Sequence, residues 1–408
     1  MRRRGSPASA PSFASNLTSF LFCQNPSSVK LGRNVLCWCG SGKKYKRCHL
    51  DRESEMRPNP WEIAEKIRTE FSWKTCLHPQ AGSHTCNGPS IRAHTIRRAA
   101  DLARIARRGH VYYVAPDFQT LNRTGGKAEP RLVGINRAST FTGFCARHDS
   151  ALFAPLETDE FRCTPEQAHR LLYRPVAHEL YKKIAQQRST AVFRDIDRGR
   201  DYADQVIVQQ WCDHRSLGTD AAIRHLAELK AMLDEELARQ QYEKMRALII
   251  DLDRTPDVLC AGVTQPDFSF DGVLLQDLSD TIRPALSVGF NILATSTGGM
   301  VVFVWHSEMG GPARRLLDSL IRLPVQEIPH AAIRFAFENF ENLYLRPEWW
   351  EGLGRQHRER LTERMMSIVP FPARLEDDGM RAIAWQVMGL YELHDGILRP
   401  LSSTLASV

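Results

Sequence analysis

The sequence predicts an α+β protein in which small Cys/His modules precede a larger mixed domain. Three features of the 408-residue chain lead to this class. Cysteine and histidine recur in two sets of metal-ligand spacing, helical periodicity marks the middle of the chain, and Val-, Ile- and Phe-rich runs follow in its C-terminal half. We therefore expect a flexible basic leader at 1–30, a metal-binding module at 31–50, a second at 72–155, and after a helical linker an α+β domain within 160–400.

The composition is typical of a globular protein and not of a membrane, fibrous or disordered one. Hydrophobic residues make up 43% of the chain and charged residues 25%. No run approaches the ~18 consecutive apolar residues that a membrane span needs. The net charge is +7, and residues 1–50 contain no Asp or Glu. This excess of positive charge predicts a polyanionic partner, either nucleic acid or an acidic protein surface.

Cysteine usage indicates the cellular compartment. Six of the ten cysteines stand in metal-ligand spacings near histidines. A reducing cytoplasm is therefore a simpler prediction than a secreted, disulfide-bonded fold. The sequence contains neither G-x-x-x-x-G-K-[ST] nor G-x-G-x-x-G, which argues against an ATPase or a dehydrogenase. It leaves the oligomeric state open.

The first module places four soft metal ligands in a C-x-C-x8-C-H pattern: Cys37, Cys39, Cys48 and His49. Thiolates and imidazole are the ligands of tetrahedral zinc sites. Gly40 and Gly42 suit a loop that turns back toward its metal, because glycine tolerates positive φ. The flanking cations Lys43, Lys44 and Lys46 offset thiolate negative charge, and they are candidate contacts to a polyanion.

This run, from Gly32 to His49, resembles the SEC-C motif. That motif is a portable zinc module first recognised at the C-terminus of the secretion ATPase SecA. The resemblance implies one zinc ion held by the four ligands. Trp38 stands where the family usually has proline, which leaves the ligands untouched.

The second set of ligands is spread over residues 76–148. The candidate structural ligands are Cys76, Cys86, Cys145 and His148, with His78 as an alternative to one of them. Two strand-like runs, 111–114 and 131–135, lie between the cysteine pairs. The layout resembles a treble-clef zinc finger, which implies a second zinc ion.

More narrowly, this region resembles a divergent HNH nuclease module. The resemblance implies that His94, in an Ala-His-x-Ile context, is the general base, and that Mg²⁺ or Mn²⁺ is the catalytic metal. HNH enzymes normally place Asp or His beside that base, but here the position is Ala93. Asp149 is the candidate that substitutes for the missing ligand, and either Asn122 or Asn136 is the candidate central asparagine.

Three arginines follow His94 at helical spacing. Arg97, Arg104 and Arg108 recur at i, i+7 and i+11, so a helix would place them on one face. Such a row is expected either to bind phosphates or to form a solvated helix face, and the sequence does not favour one of these over the other.

Periodicity and caps predict the remaining elements. The predicted helices are 61–71, 165–187 with a break near Pro175, 219–249, 311–322, 327–344 and 376–393. The predicted strands of the C-terminal half are 258–264, 268–275, 285–294 and 300–305, in a small antiparallel sheet flanked by helices.

Two functions remain open from the sequence. One is a zinc-binding adaptor whose modules fold around metal and present basic surface to a nucleic acid or a protein. The other is a metal-dependent HNH-like endonuclease of DNA processing or defence. Ala93 favours the adaptor, because it removes an expected ligand of a catalytic metal.

Overall fold

The computed structural model describes residues 31–114, 129–157, 160–280, 282–366 and 377–401. The predicted leader at 1–30 and the candidate Asn122 lie outside these ranges. The chain divides into two compact units: Met1–Pro58 with Asp195–Trp211, and Asn59–Arg194 with Cys212–Val408. Helices and strands occur together, so the predicted α+β class is confirmed.

The first unit is built from short elements. Leu36 and Lys44 form an isolated antiparallel bridge across a tight turn. Its helical elements are the 3-10 turns Tyr45–Arg47, Arg52–Ser54 and Asp195–Asp197, and the beginning of the long helix Tyr202–Arg239, which belongs to this unit as far as Trp211.

The second unit contains the remaining described elements. Its helices are Pro60–Glu70, a π-helical turn Arg98–Leu102, Ala103–Ile105, Ala146–Glu157, Pro165–Arg188, Thr190–Arg194, Gly310–Ile321, Ile328–Asn339, Pro347–Gly352 and Arg355–Met366, with 3-10 turns Ser307–Met309 and Val325–Glu327. Its strands are β1 Ser90–His94, β2 His110–Val114, β3 Pro130–Gly134, β4 Thr140–Cys145, β5 Met245–Leu252, β6 Val258–Thr264, β7 Val288–Ala294, β8 Gly299–His306, β9 Leu343–Leu345, β10 Val387–His394 and β11 Ile397–Pro400. None of the helices in the described ranges combines the length and the apolar character needed to cross a membrane.

Nine strands form one sheet in the order β11-β10-β5-β8-β7-β6-β9-β2-β3, and every neighbouring pair is antiparallel. It is larger than the small sheet that the sequence predicts. It also joins β2 and β3, which precede residue 157, to seven strands that follow residue 240. The other two strands, β1 and β4, pair separately as an antiparallel ribbon, and the helix Ala146–Glu157 follows β4 directly.

Strand β5 shows why the predicted helix 219–249 ends too late. Ala247 and Ile249 are buried in the core under helix Pro165–Arg188, whereas Leu248 and Ile250 are buried in the core beneath helices Gly310–Ile321 and Ile328–Asn339. A strand covered on both faces has an unbroken apolar run, which periodicity alone does not distinguish from a buried helix. The observed helix instead ends at Arg239.

The start of that helix also differs from the prediction. It begins at Tyr202 and continues through Gly218 without interruption. The Thr219 hydroxyl, at the predicted start, donates to the Arg215 carbonyl one turn earlier, at 2.8 Å. The threonine therefore bonds within the helix and does not cap it.

The helix Pro165–Arg188 begins as predicted but does not break at Pro175. Thr164 caps it with a full capping box, in which Thr164 Oγ1 accepts from Gln167 N. Pro175 removes one backbone donor, and the carbonyl four residues earlier belongs to Leu171. The buried Asn291 amide donates to that carbonyl at 3.5 Å, which compensates for the lost helix bond.

Two further predictions are wrong. Residues 268–275 form only an isolated bridge between Phe268 and Leu274, and the predicted helix 376–393 is replaced at its end by strand β10, whose Leu390 and Leu393 are buried. The helix Arg355–Met366 was not predicted, because its sequence is rich in charge and has little apolar periodicity.

Candidate metal centres

The first unit brings its four predicted ligands together. The ligand atoms of Cys37, Cys39, Cys48 and His49 all lie within 4.8 Å of one another. His49 Nδ1 lies 3.2 Å from both Cys37 Sγ and Cys48 Sγ, and Cys39 Sγ lies 3.5 Å from Cys48 Sγ. Cys37, Cys39 and His49 are buried, so most of the site is shielded from water.

The backbone between the two ligand pairs explains this convergence. Cys37 N donates to Lys43 O at 2.8 Å, which closes the intervening loop into a tight turn. Gly40 and Gly42 adopt φ values of +71° and +70°, a conformation that costs other residues energy. The turn Tyr45–Arg47 then reverses the chain, and Cys48 N donates to Tyr45 O at 3.0 Å. The predicted role of the glycines follows from these angles.

A residue outside the motif, Asp197, contacts the second ring nitrogen of His49. His49 Nε2 lies 2.8 Å from Asp197 Oδ2, and the Asp197 side chain is fully buried. Such a carboxylate orients the ring and sets which nitrogen faces the metal. Asp197 lies far along the sequence and outside any ligand spacing, so no signal in the motif pointed to it.

The second unit brings together the other predicted tetrad. Cys76, Cys86, Cys145 and His148 also have all their ligand atoms within 4.8 Å of one another. His148 Nδ1 lies 3.4 Å from the Sγ atoms of Cys76 and Cys145 and 3.7 Å from that of Cys86. His78, the alternative ligand, stacks on the His148 ring instead, with ring centroids 4.0 Å apart.

The strand ribbon and the helix after it position these side chains. Cys145 ends β4, and His148 lies in the first turn of helix Ala146–Glu157. The segment around Cys76 pairs with the same strand, because Leu77 N donates to Gly143 O at 2.8 Å. Asn87, next to Cys86, accepts a hydrogen bond from Arg147 N through its side chain at 3.0 Å. Each ligand is thus tied to β4 or to the helix start.

Both tetrads have the chemistry and the size of a closed zinc site. With Zn–S bonds near ~2.3 Å and Zn–N bonds near ~2.0 Å, a tetrahedral ion places sulfur and nitrogen about 3.5 Å apart. The observed S···N separations are 3.2–3.7 Å. Burial raises the pKa of Cys37 to about 12 and that of Cys76 to about 11, so these thiols need a nearby cation to ionise at neutral pH. Four protein ligands leave no open position, which suits a structural ion.

His94 lies at the end of β1, outside both tetrads. Its Nε2–H donates to the Ile135 carbonyl at 3.1 Å, which leaves Nδ1 as the unprotonated nitrogen. Burial lowers the pKa of His94, so its ring is neutral at pH 7. Asn136, one of the two candidate central asparagines, accepts instead from the exposed Arg98.

Asp149 follows the ligand His148 and is half-buried. Its Oδ1 atom is buried without a hydrogen-bond partner, and burial raises the pKa of the carboxyl group. The ion pair between Arg174 and Glu157, 2.8 Å long, is close enough to affect both Asp149 and His94. Within the described ranges, only the two tetrads bring three or more Cys, His, Asp or Glu ligand atoms within 4.8 Å.

The predicted arginine row does not form one helix face. Arg97 is buried and bonds Asp101 through two nitrogens, each at 2.7 Å. Arg104 is exposed in the short helix Ala103–Ile105, and Arg108 lies beyond it with φ +50°. A buried guanidinium that is already paired cannot reach a phosphate, so Arg97 is not a surface contact. In the first unit, by contrast, Lys43, Lys44 and Lys46 are all exposed.

A cavity of about 350 Å³ also opens in the second unit, and none of the four ligands of that unit's tetrad lines it. Its charged lining consists of two ion-paired lysines and two glutamates: Glu179, Lys182, Lys183 and Glu341. The four charges cancel, so the cavity offers no net charge to an ion.

Comparison with known proteins identifies the first centre. Residues 33–51 match the SEC-C motif family. A stretch of 33 residues, 8% of this chain, is 61% identical to the protein translocase subunit SecA of Chloroflexus aurantiacus, and a stretch of 20 residues, 5% of this chain, is 85% identical to that of Pseudomonas syringae pv. syringae. The chain spans only 3% and 2% of the length of these relatives. No solved structure matches the chain. The segment that carries the first tetrad is therefore an SEC-C motif.

Proposed function

We propose that the protein is a zinc-binding adaptor whose two Cys₃His centres are structural and whose SEC-C surface binds a polyanionic partner. The observation that carries this proposal is the exposure of five cations, Arg33, Lys43, Lys44, Lys46 and Arg47, on a module shaped by its ligands. Positive charge held on a small rigid loop attracts phosphates or carboxylates and releases their counterions.

The second tetrad also supports a structural role for its metal ion and not a catalytic one. A cysteine pair, a two-stranded ribbon and a helix that starts between Cys145 and His148 support a treble-clef arrangement. Four ligands close the site, so its ion contributes folding energy and leaves no position for a substrate.

The state of the thiols supports a cytoplasmic location. None of the nine cysteines in the described ranges is in a disulfide, and six of them belong to the two tetrads. Thiols kept for metal are typical of a reducing compartment.

The salt dependence of binding tests the proposal. Fluorescence anisotropy would measure the affinity of the full chain for labelled duplex DNA, single-stranded DNA, RNA and polyglutamate over a range of salt. If the three lysines contact phosphates, the triple variant Lys43→Ala, Lys44→Ala, Lys46→Ala should lower the slope of log K against log salt by about 2–3.

A control variant removes the same charge elsewhere. Lys66, Arg283 and Arg355 are exposed cations of the second unit, and replacing all three by alanine should leave the slope near that of the wild type. If the wild type and the lysine variant bind each polyanion with the same affinity and the same salt dependence, the proposal is wrong.

A nuclease is the second candidate, and the state of His94 favours it. A neutral ring, held by a carbonyl through Nε2–H with Nδ1 unprotonated, is the form a general base needs. The buried Asp149 Oδ1, which has no hydrogen-bond partner, is the candidate ligand of a catalytic Mg²⁺ or Mn²⁺. Ala93 and the lack of a third described ligand there weigh against this candidate.

Cleavage assays separate the two functions. Purified protein would be incubated with plasmid and single-stranded DNA in Mg²⁺ or Mn²⁺, beside His94→Ala and, as a matched control, His110→Ala, an exposed histidine of β2. Metal-dependent cutting that is lost only in His94→Ala would establish the nuclease. Absence of cutting by protein that carries zinc and binds polyanions would favour the adaptor.

A further inference from the structure

The carboxylate of Asp197 is the centre of a buried hydrogen-bond cluster behind the SEC-C motif. Its Oδ2 lies 2.8 Å from His49 Nε2 and accepts from Gln209 Nε2 at 2.6 Å, while its Oδ1 accepts from Arg52 Nε at 2.5 Å. Asp197 is fully buried. The Arg52 guanidinium balances its negative charge, and its two oxygens receive hydrogen bonds from three donors. Burying a carboxylate is favourable only with such complete pairing.

This cluster determines which nitrogen of His49 can bind a metal. A carboxylate acceptor keeps the proton on Nε2 and leaves the Nδ1 lone pair free. Nδ1 is the nitrogen that lies 3.2 Å from both Cys37 Sγ and Cys48 Sγ. The other neutral tautomer would direct a proton, instead of a lone pair, at the metal position.

Contacts that do not involve His49 hold the same segment against the motif. The Gly199 N–H donates to the Arg52 carbonyl, and Arg57 Nε donates to the Gly199 carbonyl, both at 3.0 Å. Gly199 has φ +68°, and a Cβ there would lie 2.6 Å from the Glu55 carbonyl oxygen. The Trp38 ring meets the edge of the Tyr202 ring at 5.3 Å between centroids.

We propose that the segment Asp195–Trp211 is an integral part of the SEC-C metal site, with Asp197 as the positioning residue that sets the metal-binding tautomer of His49. The inference rests on the proposed zinc binding and adds a built-in partner for the motif, encoded far downstream. Because coupling between two equilibria is reciprocal, zinc at residues 37–49 then stabilises the docked segment, and the docked segment strengthens zinc binding.

The test measures zinc affinity site by site in the full-length protein. Competition with a chromophoric chelator would compare the wild type with Asp197→Asn. Loss of a carboxylate behind a metal-bound histidine weakens metal binding about 10–100-fold. The tetrad at residues 76–148 is an internal reference whose affinity should not change. The matched control is Asp195→Asn, because Asp195 pairs with Arg52 at 3.2 Å and has no contact with His49.

Two readouts separate positioning from a general structural effect. ¹⁵N NMR of His49 in the metal-free protein should show Nε2–H in the wild type and a mixture of tautomers in Asp197→Asn. Hydrogen exchange of residues 202–211 should accelerate when the wild type loses its zinc. Gly199→Ala, which changes neither His49 nor Asp197 but displaces the segment, should weaken zinc binding at the SEC-C site and accelerate the same exchange.

The outcomes distinguish this inference from the proposed function. If Asp197→Asn keeps the wild-type affinity and the Nε2–H tautomer, the positioning role is wrong while zinc binding stands. If the hydrogen-exchange rates of residues 202–211 are the same with and without zinc, zinc binding and docking of the segment are not coupled. A wild-type protein that binds no zinc at residues 37–49 would overturn both.

Discussion

The buried pair Arg97–Asp101 gives the sharpest prediction about stability. Asp101 is fully buried and the Arg97 side chain is 8% exposed. Asp101 accepts two bonds from Arg97 at 2.7 Å and one from Ala294 N at 2.9 Å. Asp101→Leu removes these acceptors and leaves a buried guanidinium whose remaining partners are the carbonyls of Ala294 and Leu156.

The expected loss is about 3–5 kcal/mol, the usual cost of removing one partner from a buried ion pair. That is a large part of a typical total stability of about 5–15 kcal/mol. The double variant Arg97→Met, Asp101→Leu should recover much of the loss, because an apolar pair leaves no buried charge. Urea unfolding at pH 7, monitored by circular dichroism, would measure the free energy of unfolding of the wild type, of Asp101→Leu and of the double variant.

The exposed pair Arg107–Glu351 provides the control. Its side chains are 38% and 40% exposed, so water screens the attraction and Glu351→Leu should cost much less stability than Asp101→Leu. If Asp101→Leu is as stable as the wild type, the buried ion pair does not stabilise the fold as predicted. An Arg97→Met protein that keeps its stability but loses affinity for nucleic acid would also contradict the prediction, since Arg97 would then be a surface contact.

Three further predictions concern single positions. Gly262→Ala should destabilise the fold by about 1–3 kcal/mol in urea unfolding, because its Cβ would overlap the buried Phe340 ring. Gly42→Ala, at φ +70°, should cost about 1–2 kcal/mol and weaken zinc binding at the SEC-C site about tenfold, as measured by chelator competition. Burial alone would raise the pKa of Glu179, but nearby Lys182 and Lys183 outweigh it and lower the pKa to about 2 from 4.5. Glu179 therefore stabilises the folded state above pH 4.5, and unfolding free energies of the wild type and Glu179→Gln should converge as the pH falls toward 2.

The convergence of the two tetrads could be predicted from sequence because their side chains are close in the chain or stand in recognisable pairs. The four SEC-C ligands lie within thirteen consecutive positions, 37–49, so local backbone geometry alone brings them together. In the second centre, Cys145 and His148 are three residues apart at a helix start, which places both on one side of the helix. Glycine at positive φ was equally local, and it was predicted correctly at Gly40 and Gly42.

What the sequence could not predict depends on contacts between distant segments. Asp197 contacts His49 across 148 positions, and no spacing rule connects them. Arg97 belonged to a regular helical pattern, but the chain there forms a π-helical turn and buries the residue against Asp101. The pairing of β2 with β9, which joins the early strands to the large sheet, likewise has no local signal.

The metal content of the purified protein shows whether each tetrad holds one zinc ion. Native mass spectrometry and elemental analysis would count zinc in the wild type, in Cys39→Ser, in Cys86→Ser and in the double variant, with Cys212→Ser, a buried cysteine outside both tetrads, as control. If each tetrad binds one ion, we expect two zinc ions per chain in the wild type and the control, one in each ligand variant and none in the double variant. A wild type without zinc, or ligand variants that keep both ions, would contradict this expectation.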